Sequence, residues 1–250
     1  MSLEITPAPQ LSFFNRIIGI YFSPGEVFAD IGRSAGILPP LLLLLIVTVV
    51  SAKITLDRIP TERLMSEQVE RMVEEGRLTA EQARQQQEQM AKIAPYTRII
   101  GVVTAGLLAI LLPLLLAGLA KLGLVMVGNE SQFSSLWSVS VYAQLAVSII
   151  TTILFTAIVL IKSPDEMDLQ NPLYSNVAAL LSLFGVTGLP KFFSKLLTYV
   201  DIFFIWKIIL HGIGYAAVVP RLNPRTSLAI CGGLGLLLAL AASVWSALFG

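Results

Sequence analysis

The chain has 250 residues, 55% of them hydrophobic and only 13% charged, with a net charge of +1. Soluble domains carry about 25% charged residues, so this composition excludes a water-soluble globule and makes lipid the solvent for much of the surface. The near-zero net charge excludes a general attraction to nucleic acid. A single cysteine, Cys231, excludes an internal disulfide and a cysteine-based metal site.

Residues 1–36 read as a loose tail followed by interfacial amphipathic helices. The start lacks a signal peptide's basic residues, unbroken apolar core and small-residue cleavage site, so the first span is expected to act as an uncleaved signal. Residues 11–22, LSFFNRIIGIYF, are apolar but too short to span. Phe13, Phe14, Ile17, Ile18 and Tyr21 fall at helical spacing, with Asn15 and Arg16 on the other side, as in a helix lying in the membrane interface. Ser23 and Pro24 predict an N-cap and first helical position. The helix that follows turns Val27, Phe28 and Ile31 to one side.

Residues 37–54 form the first expected span, close to the lower length limit of about 18 residues. Residues 55–96 are the one water-soluble region and hold eight of the sixteen acidic residues. Thr61 is placed to cap a helix that Gly76 ends. Thr79 and Gln82 have capping-box spacing for a second helix, closed by Pro95. Glu67–Arg71 and Glu88–Lys92 are i,i+4 pairs. Met65, Val69, Met72 and Val73 make an apolar stripe on the first helix. The segment therefore reads as an extramembrane helical hairpin, either a solvated connector or a docking surface for a partner.

Residues 98–127 form a second span that contains Pro113 and is long enough to tilt or kink. Residues 136–161 form a third, without proline or charge but rich in Ser, Thr and Tyr, residues that let helices approach and hydrogen-bond across the contact. Residues 176–184 are apolar but short, and Gly185, Gly188 and Pro190 interrupt them. They read as a half-helix dipping into the bundle or as an interfacial helix. Residues 197–219 form the fourth span and 227–249 the fifth, with no soluble tail expected after it.

The fourth span is the unusual one. It carries Asp201, Lys207 and His211, the only histidine of the chain, and ionisable groups in a spanning helix normally face a bundle interior, a water cavity or a partner. Asp201 and Lys207 are about 240° apart around the helix and do not pair. Asp201 is expected to meet Lys195, Lys121 or a backbone donor, or simply to lie near the interface. Lys207, His211 and Tyr215, at i, i+4 and i+8, form one intramembrane polar stripe. Three readings stand: a satisfied packing stripe, a proton or ion relay, and a metal or tetrapyrrole ligand at His211. No nucleophile–base pair, phosphate loop, carboxylate dyad or metal spacing is present, so neither catalysis nor a cofactor is expected. Asn129-Glu130-Ser131 fits a glycosylation acceptor, a pattern too common by chance to carry weight.

Three motifs bear a family likeness: SPGEVFADI before the first span, FSSLWSVSVYAQL at the start of the third, and DIFFIWKIILHGIG in the fourth, with Asp201, Trp206, Gly212 and Gly214. From about Ser23 to Phe249 the chain resembles a bacterial member of the Yip (Ypt-interacting protein) domain family. The resemblance implies an integral membrane protein with five spans and without known catalysis. Eukaryotic relatives bind small GTPases and shape vesicle traffic, a role that the resemblance does not carry over to a bacterial chain.

The expectation is thus an all-α membrane protein with five transmembrane helices in a Yip-like domain, residues 37–250, and a soluble hairpin between the first two. Its partners are membrane lipid and a membrane protein. The short turn holding Arg221 and Arg225 favours a cytoplasmic N-terminus by the positive-inside rule, in a bacterial cytoplasmic membrane. The function expected is non-enzymatic, by protein or lipid interaction, in one form as an accessory subunit of a larger membrane complex. The competing expectation is a small transporter or channel built on the polar fourth span.

Overall fold

The computed structural model describes residues 10–33, 36–58, 66, 69–70, 72–74, 76–162, 173–186 and 188–249. Among the described residues the fold is helical, without strands. The helices are α1 (Phe13–Phe22), α2 (Pro24–Arg33), α3 (Leu38–Arg58), α4 (Ala80–Met126), α5 (Phe133–Ile161), α6 (Val177–Leu183), α7 (Lys191–Thr198), α8 (Ile202–Val218) and α9 (Pro224–Phe249). Four of the described helices are long and apolar enough to cross a membrane: α3, the Tyr96–Met126 part of α4, α5 and α9. The fourth expected span is the 17-residue α8, apolar but about 26 Å long at 1.5 Å per residue.

Local chemistry sets most helix ends. The Ser12 hydroxyl accepts from Asn15 N–H to cap α1, and Ser23 and Pro24 begin α2. Thr79 and Gln82 cap each other's backbone N–H at the start of α4, at 3.2 and 2.9 Å. Gly76, Gly128 and Gly185 all take positive φ. Each closes a helix with the paired hydrogen bonds of a Schellman turn, as in Gly128 N–H to Val125 O and Asn129 N–H to Leu124 O. The first hairpin helix, with Thr61, Met65, Glu67 and Arg71, lies largely outside the described residues. Within that stripe Val69 is buried and Met72 and Val73 are half-buried.

Two expectations about α4 change. The helix runs through Pro95 and Pro113 without a break. A proline removes one i→i−4 hydrogen bond, and the long apolar helix on the C-terminal side of Pro95 is enough to carry the backbone past it. Glu88 meets Arg84, one turn before it, at 3.4 Å, and not the expected partner Lys92 one turn after it.

The chain divides into two compact units. The first holds residues 1–44, 111–151 and 174–250, and its core is built around α8. Helices α2 and α9 pack on α8, α1 packs on α2, and α7 packs on α9. Glycines set these contacts. A Cβ at Gly214 would lie 2.4 Å from Val139 of α5 and 3.2 Å from the Phe28 ring of α2. A Cβ at Gly212 would lie 2.4 Å from Leu228 of α9. Phe28, Ile31, Val139, Tyr142, Leu210 and Tyr215 fill the space around them. The second unit holds residues 45–110 and 152–173. In it Gly101 of α4 faces Leu56 of α3, and Asp57 pairs with Lys53 at 2.7 Å.

Overpacking a tight helix contact costs about 1–3 kcal/mol. Gly214→Ala is therefore expected to lower stability by that amount in denaturant titration of the micelle-embedded protein. Gly233→Ala, at a position with nothing within 4 Å, is expected to leave stability unchanged or raise it by about 0.5–1 kcal/mol through helix propensity.

Candidate functional site

All the polar residues singled out in the fourth span belong to the first unit, and the structure separates them into two groups. Asp201 does not sit within the helix. It is the N-cap of α8, with extended backbone, and its carboxylate accepts from Phe203 N–H at 2.9 Å and Phe204 N–H at 2.8 Å. Ser175 Oγ donates to its other oxygen. Backbone bonds from Val177 N–H to Val200 O and from Ile202 N–H to Ser175 O stitch the two segments together. Asp201 thus finds backbone donors, one of the partners expected for it. A carboxylate at a helix N-terminus also meets the positive end of the helix dipole.

Lys207, His211 and Tyr215 do lie together. The His211 Nδ1 is 2.7 Å from the Lys207 carbonyl oxygen. A carbonyl only accepts, so Nδ1 carries a hydrogen and donates it. The ring stands edge-to-face against Tyr215, centroids 5.6 Å apart. Tyr215 O–H in turn meets Ser140 Oγ of α5 at 2.8 Å. Ser140 gives its own hydrogen to Leu136 O, so the tyrosine is the donor. Lys207 Nζ lies 5.5 Å from the Phe204 ring centroid, a cation–π distance. Close by, Ser227 Oγ of α9 donates to Gly212 O at 2.7 Å. These bonds join α8 to α5 on one side and α9 on the other.

A second polar centre was not legible as such in the sequence. Arg16 of α1, assigned there to the water-facing side, is turned inward. Its Nε donates to Asp30 Oδ2 of α2 at 2.7 Å. The other oxygen, Oδ1, accepts from Arg33 at 3.2 Å. Asp30 is only 1% exposed, whereas the Arg33 side chain is 55% exposed. The Arg16 guanidinium also interacts with the Tyr142 phenol of α5, and the Leu11 backbone N–H bonds to Asp30. Five residues further along α1, Tyr21 O–H donates to Ala146 O of α5 at 2.9 Å. Burial alone pushes the Asp30 carboxyl upward, but the hydrogen bonds from Arg16 and Arg33 outweigh it and hold the carboxyl below its ordinary range. The only sequence signal for this pair was an acid and a base on neighbouring short helices, which specifies no contact until both helix rotations are known.

Among the described residues no group of three or more His, Cys, Asp or Glu side chains is placed to hold a metal. The arrangement is a set of hydrogen-bonded ties between helices, with apolar helix surfaces outside it. Those features define a polytopic α-helical membrane protein. A Yip1 domain matches residues 18–246, nearly the full length, and the chain belongs to that family. No curated protein and no solved structure matches it.

The Arg16–Asp30 pair is the most testable of these ties. Removing one partner of a buried pair leaves an uncompensated charge and costs about 3 kcal/mol, so Asp30→Asn is expected to lose that much stability. The pH response follows from the lowered carboxyl. Asp30 contributes its full stabilisation above the ordinary aspartate value of about 3.9 and loses it as pH falls through the lower folded value. Thermal melts should therefore decline below about pH 4 in the native protein, with a shallower decline in Asp30→Asn.

Proposed function

We propose that the protein is a non-enzymatic membrane component that works by lateral contact with a membrane-protein partner and with lipid, as an accessory subunit. The observation that carries this reading is how the buried polar groups are used. Asp201 caps a helix, Tyr215 binds Ser140, Ser227 binds Gly212 O and Arg16 binds Asp30. Groups committed to holding helices together favour a static scaffold over a translocation path, since a path needs polar groups that exchange partners.

In this reading α8 is a fifth span. Its 17 residues are shorter than the bilayer core of about 30 Å. Its packing against α2 and α9 relieves it of matching lipid thickness alone. The N-terminus is cytoplasmic, in a bacterial cytoplasmic membrane. Support comes from the basic residues at one end of the first unit. A Cβ at Gly32 would lie 3.2 Å from Val218, so Arg33 stands beside the turn that holds Arg221 and precedes Arg225. Three arginines at one end agree with the positive-inside rule. The partner docks on the hairpin of residues 55–96, where Val69 is already covered and Met72 and Val73 remain partly accessible.

Native mass spectrometry of the protein drawn from its own membrane in mild detergent tests the proposal. The expected spectrum shows a second protein in fixed stoichiometry, lost when residues 61–93 are deleted while helicity by circular dichroism is kept. A bare monomer, combined with proton-linked flux in liposomes that Lys207→Met abolishes, would replace this reading with that of a transporter.

A further inference from the structure

The turn between α8 and α9 is built with a residue that its shape does not suit. Leu222 N–H closes the turn on Val219 O at 3.3 Å. Proline at the second position and a positive φ at the third define a type II turn, whose third position suits glycine or asparagine. Here Pro220 is second and Arg221 third, with a φ of 60°. A Cβ in this left-handed region is strained. The neighbouring Leu222, only 6% exposed, anchors the turn in the first unit's core. Arg225 is also placed against local preference. It stands in the first turn of α9, where the positive end of the helix dipole disfavours a cation. Both arginines are exposed, and among the described residues neither makes an ion pair. No acidic residue occurs anywhere from Ile202 to Gly250. Arg33 adds a third charge at the same end, since a Cβ on its neighbour Gly32 would lie 3.2 Å from Val218. The one carboxylate beside Arg33, Asp30, is already shared with Arg16.

We propose that the Arg221 turn, with Arg225 and Arg33, binds the phosphate headgroup of an anionic phospholipid. This rests on the reading above that the protein contacts lipid, and it names the lipid class and the place. Strain kept at one residue points to a use for its side chain, and the use open to an exposed, unpaired guanidinium is to hold an anion. A guanidinium fork matches a phosphate's oxygens. An anion here also turns the unfavourable placing of Arg225 into a favourable one, because it meets the helix dipole as well as the side chain. The surroundings select a lipid over a soluble phosphate. Leu228, one turn inside Arg225, and Leu38, at the start of α3 five residues beyond Arg33, are both exposed. Apolar surface thus begins directly beside the charges, which is the spacing of acyl chains below a headgroup. Basic residues at a membrane face attract anionic lipid in this way.

Native mass spectrometry in mild detergent tests this, with palmitoyl-oleoyl phosphatidylglycerol as the probe and phosphatidylcholine of the same chains as the control. The first phosphatidylglycerol is expected to bind about tenfold more tightly than phosphatidylcholine, the worth of one charge-assisted hydrogen bond. Arg221→Gly should lose most of that preference while its melting temperature stays level or rises, because glycine suits the turn. Arg225→Gln should lose part of the preference, and inorganic phosphate at millimolar concentration should not displace the lipid. Equal binding of the two lipids overturns the proposal, as does a preference that survives Arg221→Gly combined with Arg225→Gln. Displacement by phosphate would assign the turn to a soluble anion instead. A lower melting temperature in Arg221→Gly would mean that the side chain serves the fold, and a co-purifying protein lost in Arg221→Gly with lipid preference unchanged would mean an acidic protein partner; either result overturns the proposal. The lipid readouts are taken on the bare chain, so failure to find a partner protein sinks the accessory role and leaves them standing.

Discussion

Two glycines two residues apart, on nearly opposite sides of α8, control how closely this membrane domain packs. Lipid tails are as apolar as leucine, so helices in a bilayer gain little from hiding apolar surface and depend on close contact and polar ties. Gly212 lets α9 approach until Leu228 lies where a Cβ would be, and Gly214 does the same for Val139 of α5 and Phe28 of α2. Short hydrogen bonds then become possible. Ser227 reaches the Gly212 carbonyl at 2.7 Å, and Tyr215 reaches Ser140 at 2.8 Å. A larger residue at either position would move the partner helix away and leave those buried groups unmatched, each at the cost of a lost hydrogen bond in an apolar medium.

The same constraint explains the short N-terminal helices. Helix α1 is apolar on two sides. Ile20 is buried with the first unit's core, while Phe14, Ile18 and Phe22 remain exposed along one stripe. Such a helix slides easily, since either face tolerates an apolar neighbour. The Arg16–Asp30 bond and the Tyr21 bond to Ala146 fix its rotation. Buried ion pairs add little net stability on average, and their better-attested use is to specify one arrangement among several. Here that arrangement aligns α1 and α2 against α5 and α8, with Arg33 at the edge of the same network.

Much of this was legible in the sequence because it depends on local chemistry. The caps at Ser23-Pro24 and Thr79/Gln82, the glycine stop at Gly76, the inward face of Val27, Phe28 and Ile31, and the grouping of Lys207, His211 and Tyr215 all follow from spacing along one segment. The helix limits were read less well wherever a polar residue had a choice. Asp201 could ride inside a spanning helix or cap a shorter one. Capping prevails because the carboxylate then meets two backbone N–H groups that otherwise have no partner. Pro95 reads as a stop, but its effect on a helix depends on the apolar span beyond it. Arg16 was assigned to the wrong side because an arginine on an amphipathic helix ordinarily faces water, and its partner is contributed by a different helix. Pairings of that kind, like the orphaned Nε2 of His211, depend on distances between helices that no single segment encodes.

The proposed function makes α8 a true crossing, with the Asp201 cap to be found at one membrane face and the Arg221 turn at the other. Cysteine accessibility measures this most directly. In a Cys231→Ser background, Ser194→Cys and Asn223→Cys are treated with a membrane-impermeant maleimide in sealed vesicles of known orientation. The account predicts labelling of the two positions from opposite sides, with Asn223→Cys reached from the cytoplasmic side. Labelling of both from the same side would contradict it, since α8 would then enter and leave through one face of the membrane.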